Sequence, residues 1–147
     1  MGLVTIRAAI KAKLDLRVTA GVLGAAYDAP QDPQKTDFAP GEYPVAEVHY
    51  LKVDSKFGDN RDWEMTYYFA IVVYIPMDVD TINVAEKAMD VVMDDLLSTF
   101  ANYQTLGGTV TIGAVPAITE AFTAELKGKT LYGRALVLPM RDLLSTD

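Results

Sequence analysis

The run Trp63-Glu64-Met65-Thr66-Tyr67-Tyr68-Phe69-Ala70-Ile71-Val72-Val73-Tyr74-Ile75-Pro76 opens as an alternating pattern and then carries an apolar or aromatic residue at every position. Its β-branched and aromatic content favours a strand, and Pro76, which has no N–H to give to a ladder, marks its end. Side chains alternate across a strand. Trp63, Met65, Tyr67, Phe69, Ile71, Val73 and Ile75 therefore share one face, and Tyr68, Ala70, Val72 and Tyr74 share the other. From Tyr67 onward both faces need cover. The chain offers too few helices to cover both, so the expectation is that its own helices lie on one face and another copy or a partner closes part of the other.

With 147 residues, 50% of them hydrophobic, the chain is long enough for one well-buried core and short for two, so residues 1–147 are read as a single domain. It has no cysteine, which excludes disulfides and thiolate metal sites and fits a reducing compartment. The start lacks the apolar run of a signal peptide, and no stretch reaches the roughly 18 apolar residues of a membrane span. The expectation is a soluble product, made in the cytoplasm. A net charge of -7, with the basic residues scattered, argues against gripping nucleic acid through its phosphates.

Ile6, Ala9, Ile10, Lys13, Leu14 and Arg17 recur at three- and four-residue spacing and predict an amphipathic helix from about Val4 to Arg17. Val18 to Ala26 fits either a helix end or a short strand. Residues 27–44, with Pro30, Pro33, Pro40 and Gly41 among polar side chains, predict a flexible loop, either a mobile arm that orders on a neighbour or a loose insert. Val45 to Val53 predicts a strand, and Asp54 to Asp62, rich in turn formers, the tip of a hairpin with the long strand. A second helix begins near Asn83, with Asn83 and Glu86 placed as a capping box. Its apolar stripe is read as Val84, Ala88, Val91, Val92, Leu96, Leu97 and Phe100. Thr109 to Val115 and Leu131 to Leu138 predict strands, with Pro139 ending the last, and Ala117 to Leu126 fits either a strand, the preferred reading, or a helix. The tail is expected to fray unless Leu143 and Leu144 dock on another surface. The order of elements predicts an α+β fold, a mostly antiparallel sheet with a long hairpin and two main helices packed on one face.

The residues carry no catalytic pattern. His49 is the single histidine and has no cysteine to share a metal with; a hydrogen-bonded role in its strand is the plainer reading. No Gly-x-Ser-x-Gly elbow is present, Asp78-Val79-Asp80 lacks the calcium-loop spacing, and Gly107-Gly108 follows a helix where a phosphate cradle would open one. No enzyme activity, metal or cofactor is expected. Candidate contact residues are Phe57, Arg61, Trp63, Tyr68, Val72, Tyr74, Leu143 and Leu144.

The whole-chain layout resembles the tail terminator, or tail completion, proteins of long-tailed bacteriophages. The likeness lies in the N-terminal helix ending near Arg17, the Pro-rich loop before Pro44-Val45-Ala46-Glu47-Val48, the hairpin through Phe57-Gly58-Asp59-Asn60-Arg61-Asp62-Trp63, the helix to Phe100 and the closing Arg134-Ala135-Leu136-Val137-Leu138-Pro139-Met140. The resemblance implies a structural virion protein, in the tail and neck, that forms a ring, of six in that family, on the end of the tail tube. There it stops tube growth and offers a surface for head joining, with DNA passing through its channel and no sequence-specific grip on it. Implied partners are further copies of the chain, the tail tube protein, a head-tail connector or neck protein and, in a contractile tail, a sheath protein. Asp54, Asp59 and Asp62 are candidate channel-facing carboxylates, since like charge repels DNA. A head-tail connector or stopper is the alternative within that biology, and a small-ligand-binding α+β domain the alternative outside it.

Overall fold

A computed structural model of the chain describes residues 3–31, 38–57, 62–77, 82–101, 105–106, 110–112, 116–126 and 128–145. Helix α1 (Leu3–Thr19) is followed by strand β1 (Ala25–Tyr27), a 3-10 turn (Pro40–Glu42), β2 (Val45–Phe57) and β3 (Asp62–Pro76). Then come α2 (Ile82–Ala101), the short strands β4 (Thr105–Leu106), β5 (Val110–Ile112), β6 (Ala117–Ile118) and β7 (Phe122–Leu126), and the long β8 (Lys129–Ser145). One sheet holds all the strands in the order β1-β2-β3-β8-β5-β4, with β6 and β7 also pairing β8. Only the β1–β2 pair is parallel among the described strands. This is the α+β fold that the order of elements predicts.

The long apolar run becomes the centre of the sheet because it is paired on both sides, Val45 to Phe57 running against one edge and Leu131 to Ser145 against the other. Ile6, Ile10 and Leu14 of α1 and Ala85, Met89, Val92, Met93, Leu96 and Phe100 of α2 pack with Phe69, Ile71, Val73, Leu136 and Leu138 into one main core. Both helices therefore cover the face that carries the odd-numbered residues of β3. Helix α1 stops at Gly21, whose φ of 83° suits a residue without a β-carbon, and the N–H of Val22 closes on the carbonyl of Arg17 at 3.1 Å.

Five expectations need correction. The stripe of α2 holds at Val92, Leu96 and Phe100 but is turned in its first half: Ala85, Met89 and Met93 are buried there, whereas Val84 and Val91 are each 68% exposed and Ala88 is exposed. Two apolar stripes compete on this helix, and the one with the larger side chains removes more area from water. Asn83 lies inside α2, one residue past its start, and so is not its cap. Asp54, Phe57 and Asp62 are strand residues, because pairing with β3 and β8 continues past the local turn formers. β8 runs through Pro139 to Ser145, so the tail is paired as far as Ser145. On the side away from β3, the strand partners of β8 among the described residues skip from Val137 to Met140, and at Pro139 a missing N–H costs no bond there.

The fifth correction concerns the Pro-rich loop. Phe38 is 2% exposed and packs between Tyr27 and Tyr43, with ring centroids 5.6 and 6.0 Å away. The Tyr27 hydroxyl donates to Glu42, and Glu42 also accepts from the Ala39 N–H at 2.7 Å. The described parts of this segment are a strap on their own chain.

Candidate interaction surfaces

Residues directly opposite each other in neighbouring strands point to the same side of a sheet. The face turned away from the helices can thus be read in rows: Val45-Tyr74-Gly133, Glu47-Val72-Ala135, His49-Ala70-Val137, Lys52-Tyr68-Pro139 and Asp54-Thr66-Arg141. Near the strap this face is closed. Ala70, Val72 and Ala135 form a second small cluster, exposed by only 4%, 8% and 7%, with Tyr74 packed against it. The part of the far face expected to be closed by another copy or a partner does not include Ala70 and Val72, which one chain already buries. The cause is size. Alanines and Gly133 leave little surface to cover, and the Phe122 ring lies over Gly133 and meets Tyr74 edge-on at 6.1 Å.

Glu47 is the buried charged residue of this face, 3% exposed. Its Oε2 accepts the Gln31 N–H at 2.9 Å, and its Oε1 lies 3.1 Å from Nε2 of His49. Burial of a carboxylate is tolerable only when its lone pairs are so engaged. Burial and the negative field of Glu47 push the Tyr74 hydroxyl up to about 12, and the hydrogen bond to Glu42 does the same for Tyr27. His49 thus takes the hydrogen-bonded structural role expected of it. Among the described residues no group of three or more His, Cys, Asp or Glu side chains is placed to hold a metal.

Away from the strap the sheet changes character. Val45 to Val48 are buried, whereas every described side chain from Tyr50 to Lys56 is exposed, Leu51 by 50% and Tyr50 and Val53 by 38% each. β1 pairs only with Val45 to Glu47, so the rest of β2 is a sheet edge among the described residues. A register shift between Tyr50 and Lys52 and the two lysines Lys52 and Lys56 blunt that edge. Lys52 Nζ lies 4.9 Å above the half-buried Tyr68 ring and 3.3 Å from Asp54.

The register brings several of the candidate contact residues into adjoining rows. Phe57, Trp63 and Leu144 form one row across three strands, with Leu143 in the row beside it and Asp62 opposite Ser145. Tyr68, Val72 and Tyr74 lie further down the same strand, and Asp54 is exposed. Arg61 and Asp59 lie outside the described residues. What the sequence reading missed is the outward side of the helices. Val4 is 84% and Leu16 54% exposed on α1, matching the exposed Val84 and Val91 on α2. The signal was present: α2 has more apolar positions than one buried stripe can use.

No family model matches the chain, and no curated protein does. Twenty-five chains of solved structures are similar to it. One of these, a protein whose designation carries no functional meaning, matches 95% of this chain and 96% of its own at 20% identity and a TM-score of 0.47. A likeness at this level bears on neither family nor activity. Among the described residues no helix is long and apolar enough to cross a membrane.

Proposed function

We propose that this chain is a structural assembly protein of a phage tail, one that forms a ring on the end of the tail tube, ends its growth and offers a surface for head joining. The observation that carries this reading is the three-stranded ribbon of β2, β3 and β8. Its strands continue to Phe57, Asp62 and Ser145, well past the buried stretch, and the side chains of β2 from Tyr50 to Lys56 are exposed. The stretch of β2 from Tyr50 to Lys56 lies outside the main core and is suited to contact with another body. The resemblance to tail terminator proteins supplies the identity of that body, the tube end. The partners that follow are further copies of the chain, the tube protein and a neck or connector protein, with a sheath protein in a contractile tail.

The test is polymerisation of tail tube protein in the presence of this chain, with tube length measured by electron microscopy and binding by sedimentation. Tubes that stop short and carry the chain at one end are the expected result. Unchanged tube lengths, with the chain left in the supernatant, overturn the proposal. Sedimentation with DNA-filled heads in place of tubes assigns the chain to the other side of the neck.

A further inference from the structure

The ribbon of β2, β3 and β8 has two open sides. On the β2 side the last strand partner among the described residues is Tyr27, opposite Glu47, and none follows from Val48 to Phe57. On the β8 side the last is Thr111, opposite Arg141, and none follows from Asp142 to Ser145. Both stretches pair with β3 on their inner side, β2 regularly from Lys52 to Phe57 and β8 as far as Ser145. The register shift that blunts β2 lies before Lys52, and the Lys52 ammonium sits 4.9 Å above the Tyr68 ring, on the β3 side. Alternate residues of a strand turn their N–H and C=O outward, so each open side is a template for a further strand. The two edges are unlike but matched. β2 and β8 both run antiparallel to β3, hence parallel to each other, and the row Phe57-Trp63-Leu144 ends in an apolar residue on each edge.

We propose that these edges are the two halves of one contact between copies of this chain: the Asp142–Ser145 edge of β8 on one copy lies parallel to the Lys52–Phe57 edge of β2 on the next, and the ribbons join into one continuous sheet. The inference rests on the ring reading above and names the edges that would build the ring. Unlike edges give a heterologous contact, which repeats from copy to copy and closes into a ring or extends as a filament according to its rotation. Closure pairs both edges of every copy, as in a barrel, where no edge is left. Pairing β2 with β2, or β8 with β8, would stop at two copies and leave the other edge open. Joined in the unlike sense, Leu144 of one copy comes beside the edge that carries Val53 and Phe57 on the same face of the next, so the apolar row runs on across the junction. The tip of the ribbon stays free for the tube end.

The chain has no cysteine, so engineered cysteines report only on the positions chosen. Lys52, Asp54 and Lys56 are exposed on one face of β2, about 6.6 Å from one to the next, and Ser55 is exposed on the other. Leu143 shares the face of Lys56, since both pair with Glu64. Lys52→Cys, Asp54→Cys, Lys56→Cys and Ser55→Cys are each mixed with Leu143→Cys, alone and in the presence of tail tubes, then oxidised, and native mass spectrometry of the wild type runs in parallel. If circular dichroism shows that Leu143→Cys does not fold, Ser145→Cys, on the same face, takes its place. The expected result is a yield that peaks at one of the three same-face positions, several-fold above Ser55→Cys and above either variant alone. A yield that is absent, that does not depend on position, that peaks at Ser55→Cys, or that comes mainly from like-with-like pairs overturns the contact. If the wild type is then a closed oligomer, the ring reading survives without it. Position-selective cross-links in a chain that forms only open-ended oligomers uphold the contact and end the ring reading.

Discussion

The two faces of the central sheet are buried by different means. Under the helices, Phe69, Ile71 and Val73 are fully buried by large side chains from two elements. On the other face, burial is achieved by small residues, Ala70, Ala135 and Gly133, together with one aromatic ring and a strap held to Glu47. The first face is closed by volume, the second by polar latches and the absence of bulk. Substitutions should therefore act on the helix face through cavities and on the strap face through hydrogen bonds and crowding.

The largest effect is expected on the helix face. Leu96 is fully buried among Met93, Phe100 and the sheet, and Leu96→Ala should lower stability by about 2–5 kcal/mol, read from the urea midpoint. Val91→Ala, one turn away but exposed, should change it by less than about 0.5 kcal/mol. If the two substitutions cost the same, the assignment of the buried stripe is wrong.

That contrast also shows what was legible in the sequence. The two faces of β3 followed from strict alternation, because a strand has a single geometry and the run is long. Helix α2 has apolar side chains at too many phases for periodicity alone to choose, and the choice between Val91 and Met89 rests on packing volume against the sheet. In sequence the strap looks like a mobile arm or a loose insert because a lone Phe38 among prolines and aspartates gives no periodic signal; its burial depends on Tyr27 and Tyr43, brought together by pairing of β1 with β2. Sequence alone ends β8 at Pro139 because the gap in pairing that tolerates a proline is a property of neighbouring strands. Of the candidate contact residues, alternation along the apolar run places Trp63, Tyr68, Val72 and Tyr74 on their strand, whereas Phe57, Leu143 and Leu144 fall in an expected turn and tail; only the register sets Phe57, Trp63 and Leu144 in one row.

On the strap face, the expected sensitivity lies in Glu47. Glu47→Leu keeps the volume but leaves the Gln31 N–H without its acceptor and His49 without its partner, a loss of about 1–3 kcal/mol. Glu47→Gln retains an acceptor oxygen and should cost less. Hydrogen exchange at Gln31 should rise in the first variant while amides of α2 stay protected. Equal loosening of both regions would mean that the strap and the helix face form one cooperative unit.

Crowding on the same face is tested at Gly133. A β-carbon there would lie 2.5 Å from the Phe122 ring, too close for contact. Phe122 is 38% exposed and can swing outward, so Gly133→Ala should cost about 1 kcal/mol, at the low end for overpacking. The double variant with Phe122→Ala should show no added cost from the new methyl group. A double variant as crowded as the single one would place the obstruction elsewhere.

The smallest effect separates the faces by pH. Tyr74 and Tyr27 are both held up to about 12 from 10.0, Tyr74 chiefly by burial and Tyr27 chiefly by its bond to Glu42. A raised phenol favours the folded state only while it keeps its proton: the unfolded chain ionises near pH 10, the folded chain near 12. The contribution is therefore intact below pH 10 and is lost between 10 and 12. Burial moves Tyr132, beneath the helices, in the same direction, so some alkaline loss belongs to that face too. Tyr74→Phe, which removes the titrating group and keeps the ring against Phe122, should flatten the decline of stability between pH 10 and 12 without changing stability at pH 7. Leu96→Ala should lower the curve evenly at both ends. A decline of unchanged slope in Tyr74→Phe would show that Tyr74 contributes no titrating stability and would leave any alkaline loss on the strap face to Tyr27.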